Sequence, residues 1–348
     1  MILLPLLLAL FATDPVLDGD PVALRFARAA PGDPNLVEGS FRVLRDGQES
    51  LWIPPGEFLE FEVEVDLGVI GDATVGTVEM SSGVEPFVSG LPLPGQKLKE
   101  GGPLVAWVRI AAHGGHLGYD LDHSITTRFL PQVWPNWIYS EVQAGSEHRK
   151  REIKLGKLDG EWTSRYRGDG HCRSCVRKEH YLEASLPWNS DYHCKKCKRG
   201  EHRTWGTARD RAVPAQTSDI LGAVYLARSL VRGAQSELKL FMIQKEQLWD
   251  VTLERGVVKN IKVGAGTFTC QEVRLVVKHP EGEANTNSQF AGLFGIKGAL
   301  KIWLHQSTGV PVLIEGDVPV GGIIDLHASV RLVKYRGTPK AFLGTTGR

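Results

Sequence analysis

Residues 57–67 read EFLEFEVEVDL, and this stretch decides the fold class. Leu59, Phe61, Val63, Val65 and Leu67 take every second position, with Glu60, Glu62, Glu64 and Asp66 between them. Successive side chains of a strand point to opposite faces, so this order gives one apolar and one acidic face, the pattern of a half-buried antiparallel strand. The acids repeat with the pleat and have no local partner in the sequence. They read as a solvated face rather than as a paired-carboxylate active site.

Similar runs extend in both directions. Toward the middle of the chain, strands are expected over residues 73–80, 104–112, 124–129, 137–142, 153–158 and 161–167. Asp159-Gly160 between the last two marks a tight hairpin. Further strands are expected over 236–244, 248–253, 257–263, 270–279, 300–306, 310–317 and 323–335, with Arg255-Gly256 and Thr308-Gly309 as turns. His113, His116 and His123 are irregularly spaced among glycines and read as a histidine-rich loop rather than a second metal site. Cys270, alone in a strand, reads as a small buried hydrophobe.

One helix stands out, over residues 219–232. Thr217, Ser218 and Asp219 offer N-cap oxygens, and Ile220, Val224, Ala227 and Val231 recur at helical spacing. Leu221 and Tyr225 widen the apolar stripe, and Gly233 can close the helix in a left-handed cap. A single amphipathic helix among strands packs most simply on a concave sheet. The expected fold is mainly β: a curved antiparallel sheet or open β-barrel with one packed helix, plus a small zinc-ribbon-like insert.

That insert occupies residues 171–203, where Cys172 and Cys175 form one C-x2-C pair and Cys194 and Cys197 another. Two such knuckles place four thiolates at the corners of a tetrahedron, the donor set of a closed structural zinc site. A rubredoxin-like iron site uses the same ligands, and two disulfides or a redox-active dithiol are the remaining readings. His171, His180, His193 and His202 are reserve ligands, more simply read as polar residues on an exposed ribbon. Only Val176, Tyr181, Leu182, Leu186, Trp188 and Tyr192 could supply a core here. Metal binding, worth about 10–16 kcal/mol at structural sites, would therefore be the main stabiliser.

The rest of the chain bounds the function. Its 348 residues, 42% hydrophobic and 23% charged, are enough for one or two domains, and a formal net charge of +1 gives no whole-molecule attraction to nucleic acid. Residues 1–12, MILLPLLLALFA, have the length of a signal-peptide apolar core, although no Lys or Arg precedes them. A miscalled start codon or a buried N-terminal strand would explain that missing basic region. No cysteine follows it, as a lipoprotein anchor would require, and no later stretch is long and apolar enough to span a bilayer. Residues 13–55, rich in Pro, Asp and Gly, read as a loosely packed lead-in with short strands at 22–27 and 41–44. The first half of the β domain then covers 56–170, the second half 204–336, and 337–348 is a flexible tail.

Several motifs resemble the DUF3108 family, exported bacterial proteins of unknown function. They are TSDILGAVYLARSL at 217–230, GTFTCQEVRLVV at 266–277 and LKIWLHQSTGVPVLIEGDVPVGGIIDL at 300–326. The runs GEFLEFEVEV at 56–65 and GDATVGTVEM at 71–80 are similar to the family's opening. The cysteine insert interrupts the resemblance and is not a general feature of the family. The resemblance implies an exported, β-rich domain and carries over no catalytic or binding residue. Export in turn favours disulfides, and crossed pairs such as Cys172 with Cys197 avoid the very short loop that Cys172 with Cys175 would close. The spacing keeps zinc first.

Three function classes follow. The first is a periplasmic or otherwise exported, non-catalytic binding or envelope-assembly protein, holding a lipid or other apolar ligand or meeting an envelope protein partner. Phe290, Leu293, Phe294 and Ile296, with Trp303 nearby, motivate it. The second is an enzyme, for which no nucleophile elbow, P-loop or metalloprotease motif appears, and His279, His305 and His327 are isolated. The third is a cytoplasmic nucleic-acid binder acting through the ribbon. Residues 173–211 carry ten Lys or Arg against five Asp or Glu, interleaved with Tyr181, Trp188, Tyr192 and Trp205.

Overall fold

The computed structural model describes residues 26–28, 32–43, 45, 50–66, 68, 71–86, 104–116, 119–130, 135–145, 149–170, 204–205, 208–278, 290, 292–293, 297–320 and 324–344. Strands β1 (Phe26–Arg28), β2 (Phe41–Val43) and β3 (Leu51–Ile53) form a small sheet in that order. All other strands belong to one large sheet. Its first arm comprises β4 (Phe58–Asp66), β5 (Asp72–Pro86), β6 (Leu104–His116), β7 (Tyr119–Phe129), β8 (Trp137–Gly145), β9 (Arg149–Leu158) and β10 (Glu161–Gly170). Three short strands follow: β11 (Thr204–Trp205), β12 (Arg209–Ala212) and β13 (Thr217–Ser218). The second arm comprises β14 (Glu237–Gln244), β15 (Gln247–Val263), β16 (Gly266–Lys278), β17 (Lys297–His305), β18 (Pro311–Val320) and β19 (Ile324–Arg336).

Within each arm sequence neighbours pair antiparallel, and β4 pairs with β19 to join the arms at the middle of the sheet. The stretch that decided the fold class is therefore also the joint between the halves. Leu59 and Phe61 are buried, while Glu60 meets Lys334 at 2.8 Å and Glu64 meets Arg331 at 3.4 Å. The acidic face does have partners, supplied across the ladder by β19.

The two edges of the sheet come back toward each other. At one edge β12 pairs with β10, and at the other β13 runs parallel to β14, so the short link between β12 and β13 bridges them. Val213 N–H donates to Trp162 O, Arg209 Nη1 reaches Glu246 Oε2 at 2.7 Å and Arg211 Nη1 donates to Glu246 O. The sheet is barrel-like, with a seam closed by this link and by arginine contacts in place of a continuous ladder.

Helix α1 (Ile220–Arg232) starts where expected, Asp219 accepting the N–H of Gly222 at 2.7 Å. It ends differently. Gly233 is extended, with φ of −81°, and caps the helix through its own N–H to Ser229 O and Leu230 O rather than in a left-handed turn. Arg255 Nη2 also donates to the carbonyls of Val231 and Gly233, a cation at the negative end of the helix dipole. Every residue from Ile220 to Val231 is buried, Arg228 and Ser229 included, so the helix is enclosed rather than laid on a surface by one stripe.

Part of the enclosure comes from segments that read as loose. In the lead-in, Phe41, Val43, Leu51 and Ile53 are all buried, β3 lies against α1, and Ser229 Oγ donates to Ser50 O. At the other end of the chain Phe342 is buried, stacked on Phe268 at 4.8 Å with His305 and Tyr335 edge-on to it. Ala341 N–H donates to Pro34 O, which ties the tail to the lead-in. Of the expected tail, residues 337–344 are thus docked against the sheet through Phe342 and Ala341.

One expected turn is absent. Arg255-Gly256 lies inside β15, a single 17-residue strand with an irregular register between Arg255 and Val258. This is a β-bulge, and the chain reverses at Gly264-Ala265 instead. The two other turns stand: Asp159 and Gly160 have φ of 51° and 87°, as a two-residue hairpin loop of this hand requires, and Gly309 has φ of 71°.

Candidate binding wall inside the sheet

Four rows of residues line the enclosed side of β7, β8, β9 and β10, fixed by register. The first row is Phe129, Trp137, Leu155 and Ser164, and the second is Thr127, Tyr139, Ile153 and Tyr166. Next come Ile125, Glu141, Arg151 and Gly168, and last His123 and Gln143. From Phe129 to His123 is six residues along one strand, roughly 20 Å at about 3.4 Å per residue. Over that span the wall changes from aromatic and aliphatic to charged. On β6 and β5 the neighbouring Val108, Ile110, Met80 and Val78 are all buried and apolar, and the one polar residue among them, Ser82 opposite Val108, donates to Pro54 O at 2.7 Å.

Glu141 is the hub of the polar end. It is 5% exposed and accepts from Tyr139 Oη at 3.1 Å and from Arg151 Nη1 at 3.2 Å to each oxygen, with His123 Nε2 at 3.2 Å. Burial, and then the charges of Glu141 and Asp219, hold the Tyr139 phenol well above its ordinary pKa. Burial likewise raises that of Tyr166. A buried ionic network contributes little net stability, because desolvation offsets the attraction. Three donors converging on one carboxylate do fix the wall's polar groups in place. The arrangement suits a ligand with an apolar body and a polar end better than it suits proton transfer.

The helix meets this wall at its apolar end. Thr127 Oγ1 donates to Asp219 Oδ2 at 2.5 Å, and Trp137 Nε1 donates to Thr217 O at 3.4 Å. Burial pushes the Asp219 carboxyl up to about 6, against the hydrogen bonds from Gly222, Thr127 and Leu221 that favour its charged form. A carboxyl raised on folding adds stability below its unfolded value near 3.8, and that contribution is lost as pH rises through about 6. Asp219→Asn keeps a capping oxygen and removes the charge. Wild type is therefore expected to lose up to roughly 3 kcal/mol relative to this variant between pH 4 and pH 8. Denaturation of both across that range tests it; parallel pH profiles would mean that Asp219 does not titrate there.

Few of the residues named from sequence come together. Cys172, Cys175, Cys194 and Cys197 lie outside the described residues, as do Phe294, Ile296 and His279. Leu293 is core, and Phe290 makes an edge contact with Trp249 at 5.5 Å. Trp303 is also buried in the core; its indole donates to Glu315 at 2.7 Å and has Lys259 over its ring.

The histidines also fall differently. His113, His116 and His123 are on β6 and β7 rather than in a loop; His113 pairs with Asp122, and His123 joins the Glu141 network. His305 is buried beside Phe268 and Phe342 with its pKa lowered by burial, while His327 is exposed and paired with Asp317. Cys270 is buried as expected, its thiol pushed up to about 12 by burial. Among the described residues no three metal-capable side chains cluster, and no helix is long and apolar enough to cross a membrane.

The Glu141 network itself escaped the sequence reading. Its only signal is the alternation Trp137, Tyr139, Glu141, Gln143, a period-two run that grows polar along its length.

Comparison with known proteins supports the family resemblance. The model of DUF3108, a family of proteins of unknown function, matches residues 195–328, from within the cysteine insert to β19. No curated protein matches the chain. Among solved structures, the beta-barrel-like DUF1849 protein of Brucella abortus is 8% identical, covers 81% of this chain and 98% of its own, and superposes with a TM-score of 0.45. A Parabacteroides distasonis protein inferred to be a lipoprotein is 13% identical over 81% of this chain and 95% of its own, at a TM-score of 0.26. A Bacteroides fragilis protein with a YmcC-like fold, inferred to be exported, is 12% identical over 85% and 99%, also at 0.26. At these scores the fold rests on the strand register above.

Proposed function

We propose that this is an exported, non-catalytic binding or envelope-assembly protein that holds a lipid or other amphiphile against the inner wall of its barrel-like sheet. The observation that carries the reading is the polarity change from Phe129, Trp137 and Leu155 to Glu141, Arg151 and His123 on one enclosed face. Such a wall gives an acyl chain apolar contact and its head group hydrogen-bond partners, the usual composition of a small-molecule site. The apolar run at residues 1–12 supports export. The thiols of Cys172, Cys175, Cys194 and Cys197 are a soft donor set that suits one structural zinc in the insert, with iron second.

Purified protein is expected to carry lipid, detectable by extraction and mass spectrometry, and to bind a fluorescent fatty-acid analogue saturably. Leu121 is half-buried on β7, two residues from His123 and on the same face. Leu121→Asp should weaken the analogue about tenfold, a loss of some 1.4 kcal/mol, without unfolding the protein. Absence of both lipid and saturable binding would leave only an assembly role.

A further inference from the structure

A cavity lies away from this wall, where four separate segments meet at the C-terminal end of α1. It is a cleft of about 330 Å³. The lead-in turn contributes Asp33 and Asn35, β3 contributes Trp52, the last turn of the helix contributes Ser229 and Arg232, and the β17–β18 turn contributes Ser307. From this lining we infer that the cleft is a binding site for a neutral polyhydroxylated ring, that is, a single sugar unit.

The lining carries one charge of each sign, the Asp33 carboxylate and the Arg232 guanidinium, so it favours neither a lone anion nor a lone cation. The helix C-terminus beside Arg232 further opposes an anion through its dipole. The remaining polar side chains are one carboxamide, Asn35, and three serine hydroxyls, Ser50, Ser229 and Ser307, which offer donors and acceptors together, as sugar hydroxyls require.

Several of these groups are already oriented. Asp33 Oδ1 accepts the N–H of Asn35 at 2.9 Å, which shapes the turn. Ser229 Oγ donates to Ser50 O at 2.8 Å, and this directs its lone pairs away from that bond. Trp52 adds a flat apolar surface, held in place by Arg42, its cross-strand neighbour, 5.8 Å from the ring centre. An indole beside a ring of polar groups matches the two sides of a pyranose, C–H bonds on its face and hydroxyls on its rim. The volume sits at the small end of ligand sites, about 300–1,000 Å³, which limits the ligand to a single ring or a chain end.

The full-length protein should be titrated by saturation-transfer NMR with N-acetylglucosamine and with methyl glucoside, and with inorganic phosphate as the competing anion. Saturable binding of at least one sugar is expected. Trp52→Ala and Asn35→Ala should each weaken it about tenfold, with phosphate not competing. If Trp52→Ala fails to fold, Asn35→Ala and Arg232→Met carry the test, since both lie at the edge of the core. Three results would overturn the assignment: no saturation by either sugar, binding unchanged in the folded variants, or displacement by phosphate, which would make the cleft an anion site. Because the cleft and the inner wall share no residue, lipid binding should be unaltered in these variants.

Discussion

Arg228→Ala is expected to cost about 3–5 kcal/mol of folding stability, the range for breaking one partner out of a buried ion pair. Arg228 and Glu57 form two parallel bonds, Nη1 to Oε2 at 2.6 Å and Nη2 to Oε1 at 2.8 Å, with both side chains almost fully buried. The guanidinium also lies over the Tyr225 ring at 4.7 Å. Burial by itself would lower the Arg228 pKa, but the facing Glu57 carboxylate raises it above its ordinary value, so the arginine stays charged. Truncation leaves the buried Glu57 carboxyl with no cation opposite it and breaks the link between the helix and the start of β4.

A domain has about 5–15 kcal/mol in total, so this loss approaches unfolding at physiological temperature. Urea denaturation measures it. The double variant Glu57→Gln, Arg228→Met should recover most of the loss, since neither residue then carries a buried charge. A loss below about 1 kcal/mol in the single variant would show that water reaches the pair and that its burial is not maintained in solution.

Removing the zinc proposed for the cysteine insert should have a larger but local effect. Four thiolates around one zinc contribute about 10–16 kcal/mol to a small module with few core residues of its own. One zinc per chain is expected by metal analysis. It should leave as pH falls, because protons compete for the sulfurs. Cys175→Ser or Cys194→Ser should remove it and open residues 171–203 to protease, while the β domain stays folded on its own buried core. No zinc or iron, together with all four thiols oxidised in pairs, would replace the metal with disulfides. Collapse of the whole protein on metal removal would instead make the insert part of the main core.

How much could be read in advance differs by element. The alternation in residues 57–67 placed β4 correctly, and Asp159-Gly160 placed a hairpin, because strand period and positive-φ turns are local properties of the chain. Asp219 announced the helix start for the same reason. Gly256 misled: it lies at a bulge inside β15, where a side chain would press on the Glu272 side chain of β16, its Cβ falling 2.1 Å from Oε2, and not at a turn. That crowding exists only once β16 is in place. Leu51, Ile53 and Phe342 misled in the same way, since isolated apolar residues among prolines and glycines have no period to read.

The wall around Glu141 shows where the boundary falls. The sequence by itself determined that Tyr139, Glu141 and Gln143 share one face of a strand, because alternation follows from backbone geometry alone. It could not say that this face turns inward, since polar residues at period two normally face water. Only the tertiary structure decided that, through closure of the sheet by the β4–β19 pairing and the seam at β12, contacts between residues far apart in the chain. Period is a property of a few consecutive residues. Inside and outside are properties of the closed sheet.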